Sequence, residues 1–575
     1  MTVDANGQAA EDAFVQTLAK YELERQKRQR PDGLAQYIDP GKSDKFKHYG
    51  IDPWIELDNK KRTQPPPPVA DGGHAKVVIL GAGYGALTFA VRLIQTGVFK
   101  GEDFVFVDAA GGFGGVWYWN RYPGLMCDVE SASYLPLLEE TGYVPKHRYA
   151  YGPELKGYAE LVASKWNLQG QGLWQSTVRD STWDESSSNW VHTISRTSGG
   201  QTETLTIRSD FYIMISGILT RPKLPGFPGL IDFGGHVFHT ARWDYNYTGG
   251  SPEDQTLSNL KDKKVAFLGT GATGIQVVPQ LAKWAKSSTS SNELQRPWLN
   301  EANDLSTLRN VKEDLVSDGW TCFPPFSGTA GGPGADGLTA KTVEGYRPCF
   351  HDEYLQAFNN PNVELIDTDG KGVERCTLTG LIAGGKEFDV DVLILGTGFE
   401  PWTAGSPAYR ANITVKGRGG LDLDQKWSEG IGTLHGIFTR SFPNLILPST
   451  TQSGATVNIV HVIDVAAQHV AYVISEAFKQ KAAQGKKKVL IEPTAEGEAE
   501  WVLKIVQGAY ALAGLSICTP SYITREGELA NVTSPEDQIK IAKGSLWAKG
   551  VNDYIRYLDN WRASGGLRGI EIKGV

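Results

Sequence analysis

Cysteine is scarce in this sequence. The 575 residues include five cysteines, a low and odd number that argues against a disulfide framework and is typical of a reducing compartment. The first residues, MTVDANGQAAED, are polar and acidic, so no secretory signal peptide is predicted. We therefore expect a cytoplasmic protein.

Long apolar runs and basic clusters are also missing. The two longest apolar stretches, 77–99 and 501–517, are interrupted by glycines or by charged and polar residues, and neither is expected to span a membrane. No basic run is longer than Lys486–Lys488, and the net charge is −8. We therefore expect no nucleic-acid partner.

Glycine and tryptophan, in contrast, are abundant, with 66 and 16 residues. Tryptophan supplies large aromatic surfaces for a core or a planar ligand, and the length predicts two to four domains. Residues 11–30 have the pattern of a helix, which serves either as a packing arm or as a partner-binding helix. Pro65–Pro68 is a stiff linker, so the folded core is expected to begin after it.

A glycine-rich nucleotide-binding pattern follows this linker. It reads Gly81-Ala82-Gly83-Tyr84-Gly85-Ala86 and lies between the predicted strands Lys76–Leu80 and Phe104–Val107. In the dinucleotide fold, Gly81 makes the tight turn, Gly83 lets the backbone approach a pyrophosphate and Ala86 allows close helix packing. Asp108 is placed to bind a ribose hydroxyl. A glycine turn without a nucleotide is the alternative.

A second fingerprint occurs later in the chain. The predicted strand Lys263–Leu268 leads into Gly269-Thr270-Gly271-Ala272-Thr273-Gly274-Ile275-Gln276 and a helix that continues to Lys286. Two fingerprints imply two dinucleotides, and a flavin with a nicotinamide is the common pairing. One degenerate duplicate domain is the alternative.

The remaining pattern is that of a mixed α/β protein. Residues 114–128 are expected to form an aromatic loop over a flat ligand, and its last residue, Asp128, is either a site carboxylate or a solvated turn. Ser287–Asn292 is predicted as a loop. Further predicted elements are helices at 155–168, 497–513 and 546–563, and strands through 172–216, at Val363–Asp367 and at Asp391–Leu395.

Two local patterns are those of a known family. Phe233, Gly235, His239, Trp243 and Asp244 fill every position of F-x-G-x-x-x-H-x-x-x-W-[PD]. Residues 114–128 match [AG]-G-x-W-x4-[FY]-P-[GM]-x3-D. With a fingerprint on either side, the chain resembles the Baeyer–Villiger monooxygenases, the class B flavin monooxygenases, in the long fungal form that acts in secondary metabolism.

The resemblance implies an α/β fold with two Rossmann-like domains, for FAD and NADP, the second inserted in the first. An N-terminal arm and a helical C-terminal region complete it. The implied divisions are 1–72 (arm and linker), 73–225 (FAD domain, first part), 226–388 (linker signature and shortened NADP domain) and 389–575 (FAD domain, second part, and C-terminal region).

It also implies the reaction. NADPH reduces FAD, and a C4a-peroxyflavin then inserts one oxygen of O2 beside the carbonyl of a small-molecule ketone to give an ester or lactone. The substrate is not readable from the residues. We expect a monomer or weak dimer.

Site residues follow by the same resemblance, and no metal ligands are among them. Arg347 stabilises the anionic oxygen species, because its guanidinium stays charged, and Asp128 holds Arg347 in place; a structural ion pair is the alternative. His239 is expected to hold a hinge. The predicted FAD contacts are Gly81, Gly83, Ala86, Asp108, Val116, Trp117, Tyr118, Trp119, Asp128 and Tyr134. The predicted nicotinamide contacts are Met126, Cys127, Asp128, Thr270, Gly271, Ala272, Thr273, Gly274, Ile275 and Gln276.

The chain departs from the family between Gln276 and Arg347. Arg347 follows Gln276 by only 71 positions, whereas family members usually have a markedly longer stretch. The lysine that usually precedes the arginine is Tyr346, and of the segment that binds the 2′-phosphate only Gln295-Arg296-Pro297 remains. The alternative function is therefore an FAD-binding relative with impaired NADPH use, acting as an oxidase, a redox-neutral rearrangement catalyst or a non-enzymatic binding protein.

Overall fold

The computed structural model describes residues 5–57, 64–292, 351–400, 405–449, 451–456, 458–510, 520–521 and 524–575. The helices in this part of the chain are α1 (Ala5–Arg28), α2 (Trp54–Leu57), α3 (Tyr84–Gln95), α4 (Val116–Trp119), α5 (Ser131–Tyr134), α6 (Leu138–Thr141), α7 (Gly152–Lys165), α8 (Tyr245–Thr248), α9 (Ala272–Trp284), α10 (Tyr354–Ala357), α11 (Pro407–Ala411), α12 (Leu423–Ser428), α13 (Ile459–Ala482), α14 (Ala495–Gly508), α15 (Pro535–Lys543) and α16 (Val551–Ser564).

The strands are β1 (Tyr37–Ile38), β2 (His74–Leu80), β3 (Phe104–Val107), β4 (Gly172–Leu173), β5 (Ser176–Asp184), β6 (Asn189–Ser198), β7 (Gln201–Met214), β8 (Leu224–Pro225), β9 (His236–His239), β10 (Lys264–Leu268), β11 (Ser287–Asn292), β12 (Val363–Asp367), β13 (Arg375–Cys376), β14 (Gly380–Ala383), β15 (Lys386–Asp389), β16 (Val392–Leu395), β17 (Thr414–Lys416), β18 (Leu445–Ile446), β19 (Val489–Pro493) and β20 (Ile570–Gly574).

The first sheet has the strand order β17-β5-β6-β7-β2-β3-β4, and β18 pairs with β7. Strands β2, β3 and β4 run parallel, while β5, β6 and β7 form an antiparallel meander. Strands β17 and β18 join this sheet after the chain has formed a second one. The insertion of one nucleotide-binding domain in the other, which the resemblance implies, is therefore confirmed.

The second sheet has the order β12-β11-β10-β16-β9, and all its pairs are parallel. Strand β16 belongs to this sheet, so the chain returns to the first sheet after Leu395. Strand β9 lies within the linker signature itself. It pairs with β16 from Val392↔His236 to Leu395↔His239.

The loop predicted at Ser287–Asn292 is wrong, because these residues form β11. The serine-rich segment has no apolar pattern to reveal a strand. Its backbone nevertheless pairs with β10 on one side, from Lys264↔Ser287, and with β12 on the other, from Ser288↔Val363. Backbone hydrogen bonds need no particular side chain, and the position between two strands overrides weak strand propensity.

The core lies around the first parallel strands. Val77–Ile79 of β2 and all of β3 are fully buried, and each such side chain contributes roughly 1.5–3 kcal/mol through burial. Helix α3 packs closely here, since a Cβ at Gly85 would lie 2.5 Å from Ile215 Cδ1. Close helix packing in this fingerprint therefore depends on Gly85 as well as on the predicted Ala86, which is fully buried.

The N-terminal arm packs against the linker signature. Lys45 Nζ donates to the carbonyl oxygens of Leu230 (3.3 Å), Ile231 (2.9 Å) and Phe233 (2.9 Å). Arg242 Nε donates to the carbonyl oxygen of Tyr49 at 3.0 Å. These contacts fix residues 45–49 on the signature, whereas the packing-arm interpretation of residues 11–30 stays a prediction.

The C-terminal region is helical, as predicted. One face of α16 is buried, with the residues Val551, Tyr554, Leu558 and Trp561. Helix α15 was not predicted. Among the helices described, none combines the length and apolar character that crossing a membrane requires.

Candidate functional site: two facing nucleotide cradles

The first fingerprint forms a turn that only glycine fits well. Gly81 has φ +111°, and a Cβ there would lie 2.5 Å from the carbonyl oxygen of Ile215. Gly83 precedes α3, whose first amides have no side-chain cap. Such amides, together with the helix dipole, attract an anion. A Cβ at Gly83 would meet only Gly115, with Cα at 3.4 Å and N at 3.9 Å, so the backbone is open to close approach.

Asp108 lies at the end of β3, next to this turn. Its carboxylate accepts hydrogen bonds from the amides of Ala82 and Ala110, both at 2.8 Å. Burial raises the pKa of Asp108 to about 6, against the effect of the two amides. The residue as a whole is partly exposed to solvent, and a carboxylate has lone pairs for more than two donors. It therefore retains the capacity to accept from a ribose hydroxyl.

A residue that sequence reasoning missed supports this region from the N-terminal arm. Asp52 Oδ2 accepts from the hydroxyl of Tyr118 at 2.6 Å and from the amide of Gly111 at 2.9 Å. The indole of Trp54 donates to the carbonyl oxygen of Trp119 at 3.0 Å. The arm is thus tied to the loop that follows Asp108.

The aromatic segment after this loop is partly helical, since Val116–Trp119 forms the single turn α4. The prediction of a loop without regular structure is therefore wrong in part. Trp117 and Tyr118 are buried, and the indole of Trp117 donates to the hydroxyl of Tyr134 at 3.0 Å. Val116 and Trp119 remain partly exposed, so these two have the more accessible surface for a cofactor.

The second fingerprint repeats the arrangement. Gly269 has φ +124°, and a Cβ there would lie 2.4 Å from the carbonyl oxygen of Gly396. A Cβ at Gly274 would lie 2.6 Å from the carbonyl oxygen of Gly269, which reflects the close packing of α9 on its strand. Gly271 meets nothing within 4 Å, and no side chain caps the α9 amides that follow it. This is an open anion site of the same kind.

The two cradles meet at Gln276, in the second turn of α9. Its Oε1 accepts from the Tyr122 hydroxyl at 3.0 Å and from the Met126 amide at 3.3 Å. Its Nε2 donates to the carbonyl oxygen of Met126 at 3.0 Å. A Cβ at Gly124 would lie 2.4 Å from the carbonyl oxygen of Gln276. The aromatic segment of the first domain therefore lies directly on the fingerprint helix of the second.

His239 holds the crossing between the two domains. Its Nδ1 accepts from the amide of Ala241 at 3.1 Å, and its Nε2 donates to the carbonyl oxygen of Gly398, also at 3.1 Å. The side chain is fully buried. Burial, assisted by the nearby charge of Arg242, lowers the pKa of His239 to about 3. A neutral imidazole with both nitrogens engaged fits the predicted hinge role.

The predicted catalytic pair is only partly visible. Asp128 is buried near the meeting point of the two domains, two residues after Met126, and Cys127 between them is buried as well. Arg347 lies outside the described residues, as do Tyr346 and 295–297. The Arg347–Asp128 pair therefore stays a prediction.

Both cradles fit their cofactors. The first offers an uncapped helix start, glycines without room for a Cβ and a carboxylate for a ribose, as FAD requires. The second offers an uncapped helix start and an open glycine for the pyrophosphate of a nicotinamide dinucleotide. Within the described residues, no cluster of three or more His, Cys, Asp or Glu is suited to a metal ion.

No family model matches the chain, but individual proteins do. The FAD-binding monooxygenase ausC of Emericella nidulans is 39% identical to this chain, and the match covers 96% of this chain and 92% of the Emericella protein. The structure of polycyclic ketone monooxygenase from the thermophilic fungus Thermothelomyces thermophila is 37% identical, with a TM-score of 0.87 over 98% of this chain and 100% of that one. A steroid monooxygenase bound to NADP shares the fold at 24% identity, with a TM-score of 0.67 over 87% of this chain and 100% of that one.

Two dinucleotide cradles joined by a buried crossing define an oxidoreductase that uses a flavin and a nicotinamide cofactor. Together with these relatives, they show that the chain belongs to the Baeyer–Villiger monooxygenases, the class B flavin monooxygenases. Its cofactors are FAD and NADPH. The alignment with the Emericella protein is 631 residues long, but only 96% of the 575 residues of this chain take part in it. About 80 positions of the Emericella protein therefore have no counterpart in this chain.

Proposed function

We propose that this monooxygenase acts on a bulky polycyclic ketone in fungal secondary metabolism and converts it to an ester or lactone. The overall reaction consumes the ketone, O2, NADPH and a proton, and yields the ester, NADP+ and water. The likeness to polycyclic ketone monooxygenase over nearly the whole chain supports the substrate class. A cytoplasmic location and a monomer or weak dimer are part of the proposal.

The main observation in support of an active monooxygenase is the direct contact between the two cradles. Gln276 of the second domain bonds Met126 of the first, two residues before Asp128. When bound, FAD supplies the electron transfer from NADPH to O2. The chain's own contribution is positional and electrostatic, since Asp128 is proposed to orient the Arg347 guanidinium, which stabilises negative charge beside the ketone. His239 takes no proton in this proposal, because both of its nitrogens are engaged.

The second candidate is an FAD-binding relative that NADPH reduces poorly. The positions of the Emericella protein that have no counterpart in this chain favour it. Anaerobic mixing with NADPH separates the two candidates. Rapid bleaching of the flavin, followed by conversion of polycyclic ketones to products heavier by one oxygen atom, supports the monooxygenase. A flavin that stays oxidised under excess NADPH refutes it.

A further inference from the structure

Both polar atoms of the Gln276 side chain bond to the protein itself. The residue is buried, with 5% of its surface exposed. Its orientation is unambiguous, because the Met126 amide can only donate and the Met126 carbonyl can only accept. The Gln276 oxygen therefore faces that amide, and its nitrogen faces that carbonyl oxygen. The Tyr122 hydroxyl supplies a second donor to the oxygen at 3.0 Å.

This arrangement completes a strand-like segment of the first domain. One edge of the segment is paired with residues 150–152, through Cys127 N to Ala150 O and Gly152 N to Leu125 O. The amide and the carbonyl of Met126, between these bonds, face the opposite edge. The Gln276 side chain occupies that edge as a strand partner would. Met126 is partly buried, and backbone groups that are removed from water without a partner are costly.

The backbone contact beside this pair makes the junction close. Gly124 has φ +79°, and a Cβ there would lie 2.4 Å from the Gln276 carbonyl oxygen and 3.3 Å from Gln280 Cγ. The segment thus rests on α9 by main chain as well as by side chain. Gln276 lies five residues after Gly271, and Met126 lies two before Asp128. One short path therefore links the nicotinamide cradle to the predicted catalytic carboxylate.

We propose that Gln276 is a positioning residue that docks the segment 122–128 of the FAD domain onto the nicotinamide domain, and not a ligand of the nicotinamide cofactor. Because Oε1 accepts two bonds and Nε2 already donates to Met126, a cofactor could use only the second N–H of Nε2 without breaking the contact to Met126. Docking instead sets the distance and orientation of the two cradles during flavin reduction. A small displacement of the two cofactors lowers the rate of such a step strongly.

The test compares Gln276→Leu with Gln280→Leu, which makes the same change one turn later on α9. Among the described residues, Gln280 makes no side-chain hydrogen bond. Tyr122→Phe removes one of the three bonds and leaves the Met126 pair intact. Hydrogen exchange of the FAD-loaded protein without NADPH is the first readout. We expect faster exchange at residues 124–127 in Gln276→Leu, a smaller change in Tyr122→Phe and none in Gln280→Leu.

The second readout is anaerobic flavin reduction over a range of NADPH concentrations. Gln276→Leu is expected to lower the rate at saturating NADPH about tenfold to a hundredfold, with the dissociation constant for NADPH within about twofold of the parent. A tenfold weaker affinity with an unchanged saturated rate would make Gln276 a cofactor ligand and overturn the proposal. Unchanged exchange at 124–127 overturns it as well. Should the parent protein resist reduction, the proposed function fails while the exchange experiment still decides this inference.

Discussion

Replacing Gly271 with alanine separates cofactor binding from folding in the second cradle. The backbone there has φ −74° and ψ −170°, which alanine adopts readily, and a Cβ would meet no atom within 4 Å. We expect the free energy of unfolding to change by less than about 1 kcal/mol, and the melting temperature by less than about 4 °C. The added methyl group occupies the space that a pyrophosphate needs beside the uncapped amides of α9.

The measurable consequence is confined to NADPH. The dissociation constant for NADPH, obtained from anaerobic flavin reduction, should rise at least about tenfold, equivalent to about 1.4 kcal/mol. The FAD content should stay at the parental value, because FAD is bound by the other cradle.

Gly269→Ala is the matched counterpart. At φ +124° and 2.4 Å from the Gly396 carbonyl oxygen, alanine combines backbone strain with overpacking, and we expect a loss of about 2–6 kcal/mol. If Gly271→Ala binds NADPH as the parent does, or unfolds as readily as Gly269→Ala, the assignment of this cradle is refuted.

Three further outcomes are expected. Arg347→Ala should keep FAD and its reduction by NADPH but lose oxygen insertion, as measured by product mass and by hydrogen peroxide release; normal product yield would contradict its role. Asp52→Asn should weaken the two bonds to Gly111 and Tyr118, at a cost of about 1.5–3 kcal/mol, and so lower both melting temperature and FAD retention; full retention after gel filtration would contradict this. Asp108 has its pKa raised to about 6 in the folded protein without cofactor. Because the pKa is raised on folding, Asp108 stabilises the fold at pH values below its ordinary pKa, and this contribution is lost as the pH rises through about 6. The affinity for FAD should increase over the same pH range, because the ionised carboxylate is the better hydrogen-bond acceptor. Asp108→Asn, which has no carboxylate to ionise, is the control. An FAD affinity of the parent protein that does not change between pH 5 and 7, about one unit on either side of that pKa, would refute the predicted rise in affinity.

The parts predicted well from the sequence are those governed by local rules. Strand β3 was predicted with its observed ends, because an apolar run bounded by turn residues has few alternatives. Both fingerprints were recognised because Gly81 and Gly269 occupy backbone conformations that few other residues tolerate. Because the turn requires glycine at these two positions, the sequence alone is enough to predict it.

The parts that were missed depend on contacts between distant segments. Strand β11 has polar residues and becomes a strand only through its two neighbours. Asp52 lies 66 residues before its partner Tyr118, and nothing in its local pattern distinguishes it from other acidic residues of the arm. Gln276 was recognised as part of a cofactor motif, yet the use of its side chain depends on where residues 122–126 fold.

These contacts also indicate what the departure from the family between Gln276 and Arg347 affects. Among the described residues, the bonds of Gln276 to Met126 and of His239 to Gly398 lie outside that interval or at its edge. By the family resemblance, the groups at risk are instead the cationic partners of the 2′-phosphate, Arg296 and the lysine replaced by Tyr346. A shortened interval should therefore alter the choice of cofactor without undocking the domains.

The expected result is a weak preference for NADPH over NADH. A charge-assisted hydrogen bond contributes about 1.5–3 kcal/mol, so the loss of the lysine and the displacement of Arg296 should reduce the preference in kcat/KM to below about tenfold. Tyr346→Lys should raise kcat/KM for NADPH and leave that for NADH unchanged, because only the former carries the phosphate. A parental preference above about a hundredfold would show that other residues bind the phosphate. The short interval would then leave recognition of the 2′-phosphate intact, and Arg347 would be the one predicted site residue whose position it could still affect.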